Sequence, residues 1–193
     1  MAERNYVTIV SGLPRSGTSM MMQMIDKGGI PAMTDHVRTA DEDNPKGYYE
    51  FEPVKKTKED STWVAEANGK AVKMTHLLLM DMPLDYTYRV VFMRRHLKEV
   101  VKSQNVMLER RGKDTDSIPR ERLIDMFRVQ IHKVLTYMQD RPDHFQYIEI
   151  DYNAIMKDPE PHIKQISAFL DGLNTDEMLA VVDPALYRNR LVE

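Results

Sequence analysis

Apolar positions along the chain switch repeatedly between a period of two and a period near 3.6. Tyr6-Val7-Thr8-Ile9-Val10 is a short β-branched run that predicts a strand, and Gly12-Leu13-Pro14-Arg15-Ser16-Gly17 ends it in a turn. Thr18 and Ser19 are good helix N-caps, Met20 to Ile25 is apolar on most sides, and Gly28-Gly29 supplies a stop. Pro53 to Asn68 reads as a polar helix with Val54, Trp63 and Val64 available for packing, and Ala71-Val72-Lys73-Met74 as a second apolar run. Arg89-Val90-Val91-Phe92-Met93 is the most strand-like segment. It leads through Arg94-Arg95-His96 into a helix with Leu97, Val100, Val101, Gln104 and Leu108 on one face. Pro119 opens a further helix, with Leu123, Met126, Phe127, Ile131, Val134, Leu135 and Met138 in register, and Pro142 ends it. Phe145 to Ile150 alternates as a strand, Ile163, Ile166, Phe169 and Leu170 stripe a late helix, and Pro184 to Arg190 is a basic tail. Strands alternating with helices predict an α/β fold, a three-layer sandwich around a central parallel sheet, with ligands at the carboxyl ends of the strands.

At 193 residues the pattern is expected to make one domain, residues 1–193, with 32–52 as a long loop or cap inside it. Composition then narrows the chemistry. The chain has no cysteine, which removes disulfides, thiolate metal sites and thiol catalysis together. Thirty acidic against 27 basic side chains give a net charge of −3, so a general nucleic-acid binder is not expected and any anion site must be local. No apolar run approaches the ~18–20 residues of a membrane span, and the N-terminus lacks a signal peptide's apolar stretch, so the expected location is cytoplasmic. Six scattered histidines show no ligand spacing, and fifteen methionines read as core filler.

Gly12-Leu13-Pro14-Arg15-Ser16-Gly17-Thr18-Ser19 has the spacing of a phosphate-binding loop. Glycines let main-chain N–H groups converge on an anion, and the helix that follows presents unpaired N–H groups and the positive end of its dipole. The loop departs from a nucleotide triphosphatase's at one place. Thr18 stands where the lysine would be, and the cation has moved to Arg15.

Pro14-Arg15-Ser16-Gly17-Thr18-Ser19 resembles the 5′-phosphosulfate loop of sulfotransferases that use 3′-phosphoadenosine 5′-phosphosulfate. A second signature of that family is similar to Arg95, Glu99, Val100 and Ser103 after the strand Val90-Val91-Phe92-Met93. A third, less specific likeness covers Tyr147 to Tyr152, Lys157-Asp158-Pro159 and the Phe169-Leu170 helix. The resemblance, to small bacterial sulfotransferases, spans about Tyr6 to Leu170. It implies a fold like that of P-loop nucleotide hydrolases and a sulfuryl donor held by Pro14, Arg15, Ser16, Gly17, Thr18 and Ser19 at its 5′ end. Arg95 and Ser103 are implied at its 3′-phosphate; the family closes a C-terminal basic segment over it, here Arg188 and Arg190, which read equally as a solvated tail. The reaction so implied needs no metal and takes a small-molecule or carbohydrate acceptor.

Two residues compete as general base. Glu50 ends Asn44-Pro45-Lys46-Gly47-Tyr48-Tyr49-Glu50, similar to an Asn-Pro-x-Gly-Tyr-x-Glu segment of many bacterial sulfotransferases. His76 follows Lys73-Met74-Thr75, an imperfect likeness to the Lys-Thr-His of cytosolic ones. Arg15 is the candidate for stabilising the leaving phosphate. Two other functions stay open on the residues alone. One is a small nucleotide or metabolite kinase, with Asp151 as the metal-holding aspartate. The other is a binding module that holds a nucleotide without turnover.

Overall fold

The computed structural model describes residues 4–35, 37, 41, 47–113, 115 and 118–187. Four strands, β1 (Val7–Gly12), β2 (Ala71–Lys73), β3 (Tyr88–Arg94) and β4 (Phe145–Asp151), form one sheet in the order β2-β1-β3-β4. Every pairing is parallel: Ile9 is opposite Val72 on one side and Val90 on the other, and Val91 is opposite Ile148. The β-branched runs sit in the two central strands, which are buried almost throughout.

Side-chain alternation splits the core in two. Val7 and Ile9 of β1, with Tyr88, Val90 and Phe92 of β3, face α2 (Leu97–Arg110) and α3 (Arg120–Gln139). Val10, Val91 and Met93 face α1 (Thr18–Lys27), α4 (Tyr152–Lys157), α5 (Pro159–Phe169) and α6 (Thr175–Leu179). The result is the expected three-layer α/β sandwich. Because the chain places β2 on one side of β1 and β3 on the other, the strand order reverses at β1. A crevice therefore opens above the carboxyl ends, where ligands bind in open sheets of this kind.

Two local expectations are corrected. Pro53 to Asn68 is not one helix but two 3₁₀ turns, Glu52–Lys56 and Thr62–Ala67. Asp60 Oδ1 accepts from Thr62 N at 3.0 Å and from Thr62 Oγ1 at 2.7 Å. That local turn competes with helix continuation, and each short turn still buries its apolar residues against the sheet. Neither Thr18 nor Ser19 caps α1; the cap position is Gly17. The chain also turns helical directly after β4, where Asp151 Oδ1 accepts from Asn153 N at 2.7 Å and caps α4.

Within the expected loop of 32–52, the described ends are tied together. Asp35 N donates to the Glu50 carbonyl at 3.2 Å and Thr34 Oγ1 to the same oxygen at 2.9 Å. Asn44, Pro45 and Lys46 lie outside the described residues, as do Arg188 and Arg190.

Candidate active site

All four strands deliver candidate site residues to the same edge. β1 ends in the glycine loop, β2 ends at Lys73, β3 is followed by Arg95, and β4 by Tyr152. Between them lies a cavity of about 490 Å³, lined by Gly12 to Arg15, Gly17 to Ser19, Lys73, Arg95, Ser103 and Tyr152 among others.

The loop is shaped by its own contacts. Ser16 is buried, and its hydroxyl turns back to the Leu13 carbonyl at 2.7 Å, so this side chain braces the loop rather than lining the cavity. Gly17 has φ +94°, and a Cβ there would lie 2.3 Å from the Tyr152 ring. Only glycine satisfies both the left-handed backbone and the close ring. No side chain at the N-cap, Gly17, bonds the first turn of α1, which opens onto the cavity through Gly17, Thr18 and Ser19.

Two stretches far apart in sequence meet at Arg15. Its Nε donates to Ser103 Oγ at 3.0 Å, across 88 positions, and its carbonyl accepts from Arg95 Nη1 at 3.0 Å. Arg95 in turn gives Nε to Glu99 Oε2 at 3.0 Å; these side chains are 8% and 3% exposed, so the pair is essentially buried. Asn153 Nδ2 and the Tyr187 hydroxyl also donate to the Glu99 carboxylate, both at 3.0 Å. The Arg95 guanidinium lies 4.6 Å from the centre of the Tyr152 ring. Burial pushes the Tyr152 phenol above its ordinary pKa, so it is present as the neutral O–H.

The fold adds Lys73 to the residues that the sequence points to. From the carboxyl end of β2 its ammonium reaches Ser19 Oγ at 3.3 Å and the Tyr48 carbonyl, and lies 3.9 Å from Glu50 Oε1. A lysine ammonium thus reaches the cavity wall from the strand beside the loop. The available signal was a lysine closing an apolar run, at the strand end where parallel sheets bind ligands.

The two candidate bases are placed differently. Glu50 lines the cavity between Lys73 and Lys55, the latter 3.5 Å from its Oε2. His76 is 4% exposed, does not line the cavity, and pairs Nε2 with Gln130 Oε1 at 3.0 Å. Burial pushes its pKa down, against weaker opposing pulls from Gln130 and the Gly12 backbone. Asp151 does not line the cavity either, and its carboxylate caps α4.

The fold is similar to that of two solved sulfotransferase domains. The chain superposes on the sulfotransferase domain of the Synechococcus PCC 7002 olefin synthase with a TM-score of 0.61 at 14% identity, over 96% of this chain and 87% of that one. It superposes on the sulfotransferase domain from the curacin biosynthetic pathway with a TM-score of 0.55 at 11% identity, over 94% and 79%. At such identities the likeness is one of fold. No protein-family model and no curated protein sequence matches the chain.

Proposed function

We propose that the protein is a sulfotransferase, moving a sulfuryl group from 3′-phosphoadenosine 5′-phosphosulfate to a hydroxyl or amine of a small-molecule or carbohydrate acceptor. One observation carries the reading: Arg15 Nε meets Ser103 Oγ at 3.0 Å, so the two anion motifs share one cavity. A nucleotide phosphorylated at both its 5′ and 3′ ends needs two such sites; a plain nucleotide needs one.

In this reading the loop amides, Arg15 and the α1 N-terminus hold the donor's 5′ end, and Arg95 with Ser103 holds its 3′-phosphate. Glu50 takes the acceptor proton. The acceptor oxygen or nitrogen then bonds to sulfur while the bond from sulfur to the 5′-phosphate oxygen breaks, its electron pair leaving with the phosphate. Arg15 and Lys73 offset the charge that develops there, which is where preorganised donors lower a barrier most. His76, off the cavity wall and bonded to Gln130, is the weaker base. The apolar wall from Phe51, Val54, Met74, Leu78 and Met107 favours an acceptor with an apolar body.

Thermal shift tests the reading. Adenosine 3′,5′-bisphosphate without magnesium is expected to raise the melting temperature, since a ligand at ~100 times its Kd adds about 2.7 kcal/mol. A shift obtained only with ATP and magnesium overturns it in favour of a kinase.

A further inference from the structure

The region around Arg95 holds more buried polar structure than a phosphate fork requires. Both oxygens of Glu99 are engaged: Oε2 accepts from Arg95 Nε and Asn153 Nδ2, and Oε1 from the Tyr187 hydroxyl, each at 3.0 Å. Asn153 also donates to the Tyr187 oxygen, while its own Oδ1 accepts from His96 N at 3.0 Å. The Tyr187 ring meets Tyr152 edge to face at 5.5 Å and lies 5.7 Å from the Arg95 guanidinium. A buried ion pair is costly to desolvate and is often replaceable by apolar packing, so stability alone is a poor account of this cluster. What the cluster fixes is geometry. Nε is committed to Glu99 and Nη1 to the Arg15 carbonyl, which leaves the remaining donors of the planar guanidinium for the cavity that Arg95 lines.

We propose that Glu99, Asn153 and Tyr187 are positioning residues that set the plane of Arg95 for the donor's 3′-phosphate. Tyr187 follows the turn Pro184–Leu186, so this late segment completes the clasp on Glu99, 88 positions earlier in the chain. Docking of that segment and selectivity for a 3′-phosphorylated nucleotide are then linked through one phenolic hydroxyl. The inference rests on the donor reading above.

Two substitutions separate position from charge. Tyr187→Phe keeps the ring and removes only the hydroxyl; Glu99→Asp keeps the charge and withdraws the carboxylate by one methylene. Calorimetric titration with adenosine 3′,5′-bisphosphate and with adenosine 5′-phosphate gives, for each protein, the ratio of the 5′-phosphate's dissociation constant to the bisphosphate's. In both variants that ratio is expected to fall about fivefold to tenfold, on the scale of one ordinary net hydrogen bond, with 5′-phosphate affinity held within about twofold. An unchanged ratio in the variants overturns the positioning role and leaves the donor reading standing. Equal weakening of both ligands also overturns it, assigning the cluster to general stability. A wild-type protein with no preference for the bisphosphate overturns the donor reading itself, and the positioning role with it. If Glu99→Asp does not fold, Tyr187→Phe carries the same comparison alone.

Discussion

Glu50 and Lys73 make the chemistry of the cavity a matter of two side chains 3.9 Å apart, 12% and 19% exposed for the lysine and the glutamate. In the proposed reaction they divide the work: one accepts a proton and the other faces the departing phosphate. Glu50→Gln removes the base and keeps the shape. It is expected to lower the release of adenosine 3′,5′-bisphosphate from the donor, measured with a working acceptor, by ~10²–10⁴. Affinity for the bisphosphate should change less than about twofold, because Glu50 touches no phosphate motif. A variant at the wild-type rate would remove Glu50 from the mechanism. The sequence was informative about which residues to suspect here, since Arg15, Glu50, Arg95 and Ser103 all line the cavity. It was poor at partnership. Nothing in the local pattern says that Lys73 reaches Ser19, 54 positions away, or that Tyr187 bonds Glu99 across 88.

At the scale of elements, the glycine loop works because α4 presses on it from β4. The Tyr152 ring packs where a side chain on Gly17 would stand, so the left-handed turn and the ring are selected together. Gly17→Ala is expected to cost about 1–3 kcal/mol from backbone strain alone, and more from the ring it meets. Gly29→Ala is the matched control: its φ is +111°, but open space surrounds the added carbon. Chemical denaturation should show Gly17→Ala as the less stable of the two. Only Gly17→Ala should also lose the thermal shift with bisphosphate. Equal losses in the two variants would mean that the Tyr152 contact does not constrain the loop. Elements with a strong period, β1, β3, α3 and β4, were legible in the sequence because packing on the sheet enforces the same pattern. The two 3₁₀ turns between Glu52 and Ala67 were not. A few apolar residues, Val54, Trp63, Val64 and Ala67, fit either a helix or a pair of turns, and the Asp60–Thr62 bonds decided for turns.

For the whole molecule, His76 couples the site's foundation to pH. The ring is buried beneath the loop end and bonded to Gln130 of α3, and burial holds its folded pKa below the ordinary 6.5. The unfolded chain therefore binds a proton at a pH where the folded one does not. Stability must rise with pH across the interval between the two values. The contribution is complete above about 6.5 and is lost as pH falls from there toward the depressed folded value, with a slope of at most about 1.4 kcal/mol per pH unit. Asp35, Asp60 and Asp171 act lower on the scale. Hydrogen bonds hold all three below the ordinary aspartate value, so they stabilise above it and lose that contribution only in more acidic solution. A difference experiment isolates the histidine: melting temperatures of the wild type and His76→Gln, measured from pH 8 to about 5. The glutamine keeps an amide that can meet Gln130 but has no proton to gain. The wild-type curve should bend downward below about pH 6.5 and the variant's should be flatter, so that any stability deficit of the variant narrows on acidification. Parallel curves would show that His76 does not titrate with unfolding.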